Sequence, residues 1–382
     1  MRRHVLSNAA LATAAAAVAL GLAEAVVRGF DIGPRFHVVF RETIEPSDDA
    51  VLEYELRPGA RDGRDAISSA GLRDGEHARP KPAGVFRIAA IGDSVTYGSG
   101  SARELAWPAR LAELLAPLAD AGARVEVLNL GVPGYNITQV VERLRVRGLP
   151  FEPDAIVYGY VLNDPQAFSL EAEALRGLRA AAERGQAPSA GVLTRWLARS
   201  RLYLLARTLL SKPPRPAELP ADPAYAAAQG AGRDEYFRAL HRDAASARRV
   251  EQGFADLAAL ARERGARALV AIFPLFDETG ADAALADLHA RVAELARGAG
   301  LDVLDLLPAY RAAARAFDRE LRIDFLHPSP FGQRIAAAAV LDHLCRRQVL
   351  PRAAVDCGRR DQGDSLDAEI ARAVASSVAA GG

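Results

Sequence analysis

Hydrophobic and polar positions alternate in two distinct ways between residues 85 and 345. Short continuous apolar runs, typical of strands buried on both faces, are each followed by a longer segment with apolar residues at helical spacing. The predicted strands are 86–91, 125–130, 155–162, 268–273 and 301–307. The predicted helices are 106–118, 137–147, 281–299 and 331–345. This alternation predicts right-handed βαβ units, a parallel sheet and a three-layer α/β/α sandwich.

The first apolar run begins after Arg2 and Arg3, extends over residues 5–27 and ends at Arg28. A bilayer span needs ~20 apolar residues, whereas the core of a signal peptide has ~7–15. The length favours an uncleaved transmembrane helix within residues 1–27, with the rest of the chain exported. The alternative is secretion after cleavage, because the Ala-Glu-Ala sequence at residues 23–25 resembles a signal cleavage site.

The remainder of the chain is predicted to have three parts. Residues 28–84 mix short apolar pieces with glycine, proline and charged residues, which predicts a connector that docks on the main domain. The main domain is predicted over residues 85–350, with a helical insertion at residues 166–249. Residues 351–382 are charged and then rich in small residues, which predicts a flexible tail with a frayed end. An amphipathic helical patch around residues 366–378 is the alternative left open for part of it.

One segment of the insertion, residues 195–210, has apolar side chains on one face of a predicted helix and basic side chains on the other. Three interpretations are open for it. The segment either packs on the rest of the domain, covers an acyl pocket as a lid, or contacts the membrane surface.

Composition excludes several classes of function. The 382 residues include 48 cationic and 48 acidic side chains, so no basic footprint for a nucleic acid is present. The two cysteines lack Cys-x-x-Cys spacing and the seven histidines do not cluster, so we predict neither a metal nor another cofactor. If the domain is exported, Cys345 and Cys357 are candidates for one disulfide.

Polar or flexible residues occur in four places that the pattern puts at strand ends or before the last helix. In open α/β sheets, such positions meet along the edge where reactive groups gather. The four segments are Gly92-Asp93-Ser94, Asn129-Leu130-Gly131, Asn163-Asp164 and Asp324-Phe325-Leu326-His327-Pro328. Together they contain the groups that an acyl-transfer site requires.

Each requirement of such a site has a candidate residue. Ser94 supplies a hydroxyl nucleophile, His327 can accept its proton, and Asp324 can hold the other imidazole nitrogen. The N–H groups of Ser94 and Gly131 and the side-chain amide of Asn163 are candidate donors to an oxyanion.

Three further residues are expected to support the site. Gly92 allows a tight exit from its strand, Asp93 holds the turn together, and Asp164 caps the following helix. The competing interpretations are an ordinary Gly-Asp-Ser turn and a solvated loop histidine at position 327. The presence of Asp324 and of the upstream serine segment favours the catalytic interpretation.

The four segments, in this order, resemble the motif blocks of the SGNH/GDSL hydrolases, over about residues 85–345. The resemblance implies a flavodoxin-like sandwich and a Ser–His–Asp esterase, with Ser94 as nucleophile, His327 as base and Asp324 in support. It also implies that Ser94, Gly131 and Asn163 form the oxyanion hole. The apolar N-terminus and the Gly-Leu-Arg sequence at residues 71–73 are similar to membrane-anchored bacterial members.

Two positions depart from the family pattern. Val95 stands where the family has leucine, and Val161 stands where the third block has glycine, with a glycine earlier at Gly159. A valine at position 161 is expected to narrow the pocket floor or to shift the amide of Asn163.

We therefore expect a serine esterase anchored in the bacterial inner membrane, with its catalytic domain in the periplasm. By analogy with anchored relatives, short acyl groups such as O-acetyl groups on envelope carbohydrate are the expected substrate. Two alternatives are open. One is an O-acyltransferase that passes the acyl group to a sugar hydroxyl, and the other is a non-catalytic carbohydrate-binding scaffold on the same fold.

Overall fold

The computed structural model of the protein describes most of the chain apart from the N-terminus and much of the predicted insertion. The described residues are 15, 18–27, 43–62, 65–120, 123–167, 169, 200, 202–203, 206, 232–277, 280–281, 284–351, 355–360, 362 and 365–379. The chain divides into a smaller unit, Met1–Val39 with Arg176–Pro220, and a larger unit, Phe40–Leu175 with Ala221–Gly382.

The larger unit alternates strands and helices from residue 85 onward, as the hydrophobic pattern predicts. Its strands are β1 (Ile44–Pro46), β2 (Tyr54–Leu56), β3 (Arg61–Asp62), β4 (Asp65–Ala66), β5 (Val85–Gly92), β6 (Arg124–Asn129), β7 (Ala155–Tyr160), β8 (Arg267–Ile272), β9 (Phe276–Asp277), β10 (Gly280–Ala281) and β11 (Asp302–Asp305). Its helices are α1 (Ser94–Tyr97), α2 (Trp107–Leu115), α3 (Ile137–Arg143), α4 (Arg233–Arg242), α5 (Ala244–Arg264), α6 (Ala286–Gly298), α7 (Leu307–Ala316), α8 (Pro330–Arg346) and α9 (Leu366–Ala379).

Five strands form one parallel sheet in the order β11-β8-β7-β5-β6. Numbered by their order along the chain, these strands follow the order 2-1-3-4-5, which is that of flavodoxin-like sheets. The prediction of a parallel α/β sheet is therefore confirmed. Helices α2, α7, α8 and α9 pack in one group, and α3, α5 and α6 pack in another.

The central strands are buried, and their sequences are mostly apolar. All six residues of β7 are buried, and in β5 the run from Ile88 to Gly92 is buried as well. Strands with apolar side chains on both faces require a helical layer on each side. Because β5 lies between β6 and β7, its carboxyl end opens at the point where the strand order reverses.

The connector before β5 is integrated into the larger unit. Its strands pair antiparallel as β1 with β2 and β3 with β4. Leu52, Tyr54 and Leu72 are fully buried. Arg143 of α3 donates to the carboxylate of Glu55 and to the carbonyl of Gly71, which holds the connector against the sheet layer. From residue 43 onward, the connector therefore belongs to the larger unit.

Within the described residues, the tail forms helix α9 where the sequence indicates an amphipathic patch, and the expectation of a frayed segment is wrong over Leu366–Ala379. Helix α9 buries Ala368, Ile370 and Val374, and it packs on α7 and α8. Cys345 and Cys357 form a disulfide, with the two sulfur atoms 2.04 Å apart. The apolar residues of α9 recur at helical spacing, and two neighbouring helices supply the surface that covers them.

The N-terminal segment and much of the insertion lie outside the described residues. Residues 18–27 are helical, and no helix among the described residues is long and apolar enough to cross a membrane. Most of residues 1–17 of the predicted anchor are not described, so the anchor stays a prediction. The same holds for the three interpretations of residues 195–210. From residue 232 onward, the predicted insertion forms α4 and α5 of the larger unit.

A partly buried histidine in the connector, His77, predicts a pH-dependent contribution to stability. The Nε2 atom of His77 lies 3.0 Å from Asp74 Oδ2, and its Nδ1 atom lies 3.4 Å from Glu126 Oε2. Burial lowers the pKa of His77, but the two carboxylates outweigh burial and raise the pKa above its ordinary value of 6.5. The charged imidazole therefore stabilises the fold below pH 6.5, and this contribution is lost as the pH rises through the raised pKa.

We expect the free energy of unfolding of the wild type, relative to His77→Gln, to fall as the pH rises through this range. Urea unfolding between about pH 5 and pH 9 measures the difference. As a control, Asp74→Asn removes the closest carboxylate. In that background, the difference in free energy of unfolding caused by His77→Gln should depend less on pH. A difference that does not change with pH would contradict the prediction.

Candidate active site

The first sequence segment forms a tight turn between β5 and α1. Gly92 has a φ of +152°, and a Cβ atom there would lie 2.2 Å from Thr96 Oγ1 and 2.8 Å from the carbonyl oxygen of Gly159. Asp93 precedes α1, and its carboxylate accepts the N–H of Val95 at 2.9 Å. The supporting positions predicted for Gly92 and Asp93 are observed, and the turn places Ser94 at the first position of α1.

The structure brings the Ser94 side chain to His327, which lies 233 residues later in the sequence and three residues after Asp324. The Oγ atom of Ser94 lies 2.9 Å from His327 Nε2. His327 Nδ1 lies 3.0 Å from each carboxylate oxygen of Asp324. With its proton on Nδ1, the imidazole donates to Asp324 and presents the Nε2 lone pair to the serine hydroxyl.

The Asp324 carboxylate is fixed by its own loop. Its Oδ1 atom accepts the N–H groups of Leu326 and His327, each at 2.8 Å. Burial raises the pKa of Asp324, but the hydrogen bond and charge of His327 and the two backbone N–H donors outweigh burial. The pKa is consequently lowered from 3.8. The Asp324 carboxylate is therefore ionised at neutral pH and gives the imidazole an anionic partner.

Two of the three predicted oxyanion donors are available. Within the described part of the chain, the N–H of Ser94 donates to no residue. The side-chain nitrogen of Asn163 donates to Asp93 Oδ2 at 3.1 Å, and an amide nitrogen carries a second hydrogen. Asp93 therefore ties the Asn163 amide to the serine turn, with one N–H left for a ligand.

The structure disagrees with the donor role predicted for Gly131. Its N–H donates to Asn129 Oδ1 at 3.0 Å, so it is not free for an oxyanion. A Cβ atom at Gly131 would lie 2.3 Å from the backbone nitrogen of Tyr97. Gly131 therefore allows close packing against α1.

Gly134, three residues later, is a candidate that sequence reasoning missed. Its φ is +78°, and its N–H donates to no residue in the part of the chain that the structure describes. The signal was present as the Pro133-Gly134 pair, which marks a turn with φ > 0. Of the two glycines that follow β6, Gly131 and Gly134, it is Gly134 whose N–H is left for a ligand within the described residues.

Two carboxyl groups beneath the site are fully buried. Burial raises the pKa of Asp93, against the hydrogen bonds from Val95, Asn163 and Ser94. Burial and the neighbouring Asp93 charge raise the pKa of Asp164 well above its ordinary value. Both carboxyl groups are fully buried and hydrogen-bonded within the turns that position Ser94 and Asn163, which suits a structural role.

Asp164 does not cap a helix, contrary to expectation. Its Oδ2 atom accepts the hydroxyl of Tyr158 at 2.6 Å and the N–H of Val161 at 3.1 Å. The carboxyl group thus closes the turn that follows β7. The turn directs Asn163 at Asp93, so Val161 has not displaced the amide from the serine segment. Gly159 packs closely against Thr96, because a Cβ atom built at position 159 would lie 2.5 Å from Thr96 Oγ1.

No group of three or more His, Cys, Asp or Glu side chains among the described residues is arranged to hold a metal ion. The chemistry that the described arrangement provides is a polarised hydroxyl, a base and two N–H donors. These are the components of nucleophilic catalysis at an acyl group.

Comparisons with known proteins agree with this description. Residues 90–335 match the family model of the GDSL-like lipase/acylhydrolase family. No curated protein matches the chain significantly.

Several solved structures are similar at low sequence identity. TesA is 16% identical, with 69% of this chain and 99% of that chain covered, and a TM-score of 0.38. A two-domain esterase, CEX, active on acetylated mannans and co-crystallised with mannopentaose, is 15% identical over 70% of this chain and 50% of that chain, with a TM-score of 0.40.

A catalytic mutant of Axe2, an acetylxylan esterase from Geobacillus stearothermophilus, is 14% identical over 69% of this chain and 94% of that chain, with a TM-score of 0.40. Likenesses at this level carry no argument about substrate. The family model, in contrast, spans well over half of the sequence, and the chain therefore belongs to the GDSL-like lipase/acylhydrolase family and is a carboxylic ester hydrolase.

Proposed function

We propose that the protein is a serine esterase that works through a Ser94–His327–Asp324 triad. The observation that carries the proposal is the continuous chain of contacts from Ser94 Oγ through both imidazole nitrogens to the Asp324 carboxylate. A serine hydroxyl is a weak nucleophile until an adjacent base takes its proton, and this contact supplies the base.

The reaction proceeds in two halves. Ser94 Oγ attacks the ester carbonyl while His327 Nε2 takes the hydroxyl proton, and a tetrahedral intermediate forms. His327 then gives that proton to the alkoxide leaving group, which departs as an alcohol and leaves an acylated Ser94. Water, deprotonated by His327, attacks the acyl group, and the proton returns to Ser94 as the carboxylic acid leaves.

The negative oxygen of each intermediate needs donors that are already in place. We assign this role to the Ser94 N–H and the free N–H of the Asn163 amide, with the Gly134 N–H as the third donor. One such donor contributes ~3–4 kcal/mol to lowering the barrier. Gly131 supports the same site through its packing against α1.

The proposed substrate is a short acyl ester, such as an O-acetyl group on envelope carbohydrate. Ser94 is only 8% exposed, and the restricted access to its hydroxyl suits a small acyl group. The proposed location is outside the cytoplasm, either anchored by the N-terminal apolar run or secreted after cleavage. The Cys345–Cys357 disulfide supports an oxidising compartment.

The test offers acetylated oligosaccharides and aryl acetates to the full chain and follows both free acetate and acylated sugar. Release of free acetate, with slower turnover of longer acyl chains, is the expected result. Accumulation of acylated sugar over acetate would indicate an O-acyltransferase. A folded protein that binds the oligosaccharide but releases no acetate would indicate a carbohydrate-binding scaffold.

A further inference from the structure

The Gly-Leu-Arg sequence of the connector places a buried guanidinium against the segment that follows the nucleophile. Arg73 is 2% exposed. Its Nη1 atom donates to the carbonyl oxygens of Tyr97 at 2.7 Å and Gly98 at 3.2 Å. Its Nη2 atom donates to the carbonyl oxygen of Ser101 at 2.7 Å. These three bonds converge on the five residues that end α1 and continue beyond it.

Helix α1 needs such a partner because it is a single turn. It contains four residues, Ser94–Tyr97, and is followed by Gly98, which adopts the left-handed conformation with a φ of 84°. A helix of this length is unstable alone, and the carbonyl groups at its end have no partners within the helix. A cation at that end satisfies the carbonyl oxygens and complements their partial negative charge.

The aromatic ring of Tyr97 strengthens the same contact. The guanidinium carbon of Arg73 lies 4.3 Å from the centre of this ring, within the range of a cation–π interaction. Tyr97 is itself buried. The guanidinium therefore holds both the backbone and the side chain of the last residue of α1, three residues after Ser94.

Asp74, the next residue of the connector, contacts the carboxyl end of β6. Asp74 Oδ2 accepts the backbone N–H of Asn129 at 3.1 Å, on the open edge of β6. The side-chain amide of Asn129 in turn donates to the Tyr97 carbonyl oxygen at 3.4 Å. Two consecutive connector residues thus tie the end of α1 to the end of β6.

We propose that Arg73 is a positioning residue for Ser94, an inference that rests on the proposed esterase function. By fixing the carboxyl end of α1, Arg73 holds the opposite end, where the Ser94 hydroxyl faces His327 and the Ser94 N–H faces the oxyanion. A displacement of about 1 Å at a reacting group can lower the rate by ~10²-fold. The connector is then part of the catalytic apparatus as well as of the fold.

The test compares Arg73→Met and Arg73→Lys with Arg87→Met. Arg87 is a matched control because it is fully buried, donates to the carbonyl oxygens of Phe151 and Ala78, and lies near the ring of Phe151. It is on β5, at the end away from Ser94. Its loss should lower stability without a specific effect on kcat.

For Arg73→Met we expect kcat on an aryl acetate to fall by ~10²-fold with little change in KM, and Ser94 to react more slowly with a fluorophosphonate. Millimolar guanidinium ion, about the concentration that refills such a site without unfolding, should restore part of kcat in Arg73→Met alone. Arg73→Lys, which can still donate to a carbonyl oxygen, should retain more activity and remains measurable if Arg73→Met does not fold.

Three results would overturn the proposal. The first is an unchanged kcat in folded Arg73→Met or Arg73→Lys. The second is a loss of kcat in Arg87→Met as large as that in the Arg73 variants, without rescue by guanidinium. The third is a wild-type protein that neither hydrolyses the ester nor is labelled at Ser94. This result would also contradict the proposed function, so the wild type is measured before any variant.

Discussion

Replacing Ser94 by alanine is expected to lower kcat for ester hydrolysis by about 10⁶-fold. The substitution removes the oxygen that lies 2.9 Å from His327 Nε2 and leaves no acceptor for the acyl group. The donors around the site remain, so a small residual rate above that of water is expected. The loss should appear in kcat, because the acyl-enzyme can no longer form.

A matched control is available five residues away. The Ser99 hydroxyl is buried, with no partner in the part of the chain that the structure describes, and Ser99→Ala should keep kcat within about twofold. Intact-mass measurement after fluorophosphonate treatment should show one adduct in the wild type and in Ser99→Ala, and none in Ser94→Ala. An adduct on Ser94→Ala would place the reactive nucleophile elsewhere.

The parallel sheet and the proximity of Ser94, His327 and Asp324 could be predicted because their sequence signals are local. The central strands β5 and β7 are mostly apolar runs, and runs of this kind are typical of strands buried on both faces. Ser94, Asn163 and His327 follow from short segments at strand ends, since parallel strands bring their carboxyl ends to one edge. Asp324 lies three residues from His327, so its pairing with the imidazole needs no knowledge of the tertiary fold.

The features that were missed depend on partners distant in sequence. The sequence of α9 indicates an amphipathic patch, but it does not show that α7 and α8 pack on that patch, so it does not predict an ordered helix there. Gly131 was assigned a donor role, but a side chain two residues earlier takes its N–H. The contact of Arg73 with Tyr97 spans 24 residues, and no pattern in either segment indicates it.

Replacing His327 by alanine is expected to lower kcat by about 10⁶-fold, close to the effect of removing Ser94. The two residues act as a unit, because the hydroxyl is a useful nucleophile only while the imidazole takes its proton. The double variant should therefore be little worse than either single variant. Steady-state hydrolysis and the rate of fluorophosphonate labelling measure both effects.

Two companion variants test whether the contact with Asp324 matters for catalysis. Asp324→Asn should lower kcat by about 10⁴-fold, because an amide cannot stabilise the imidazolium and can hold the imidazole in the wrong tautomer. His343→Ala is the control, since His343 lies 3.1 Å from a carboxylate oxygen of Asp302 at the amino end of β11, away from Ser94. A triad is supported if kcat falls most in His327→Ala, less in Asp324→Asn, and not at all in His343→Ala. Equal kcat in Asp324→Asn and the wild type would leave His327 as a base that needs no carboxylate.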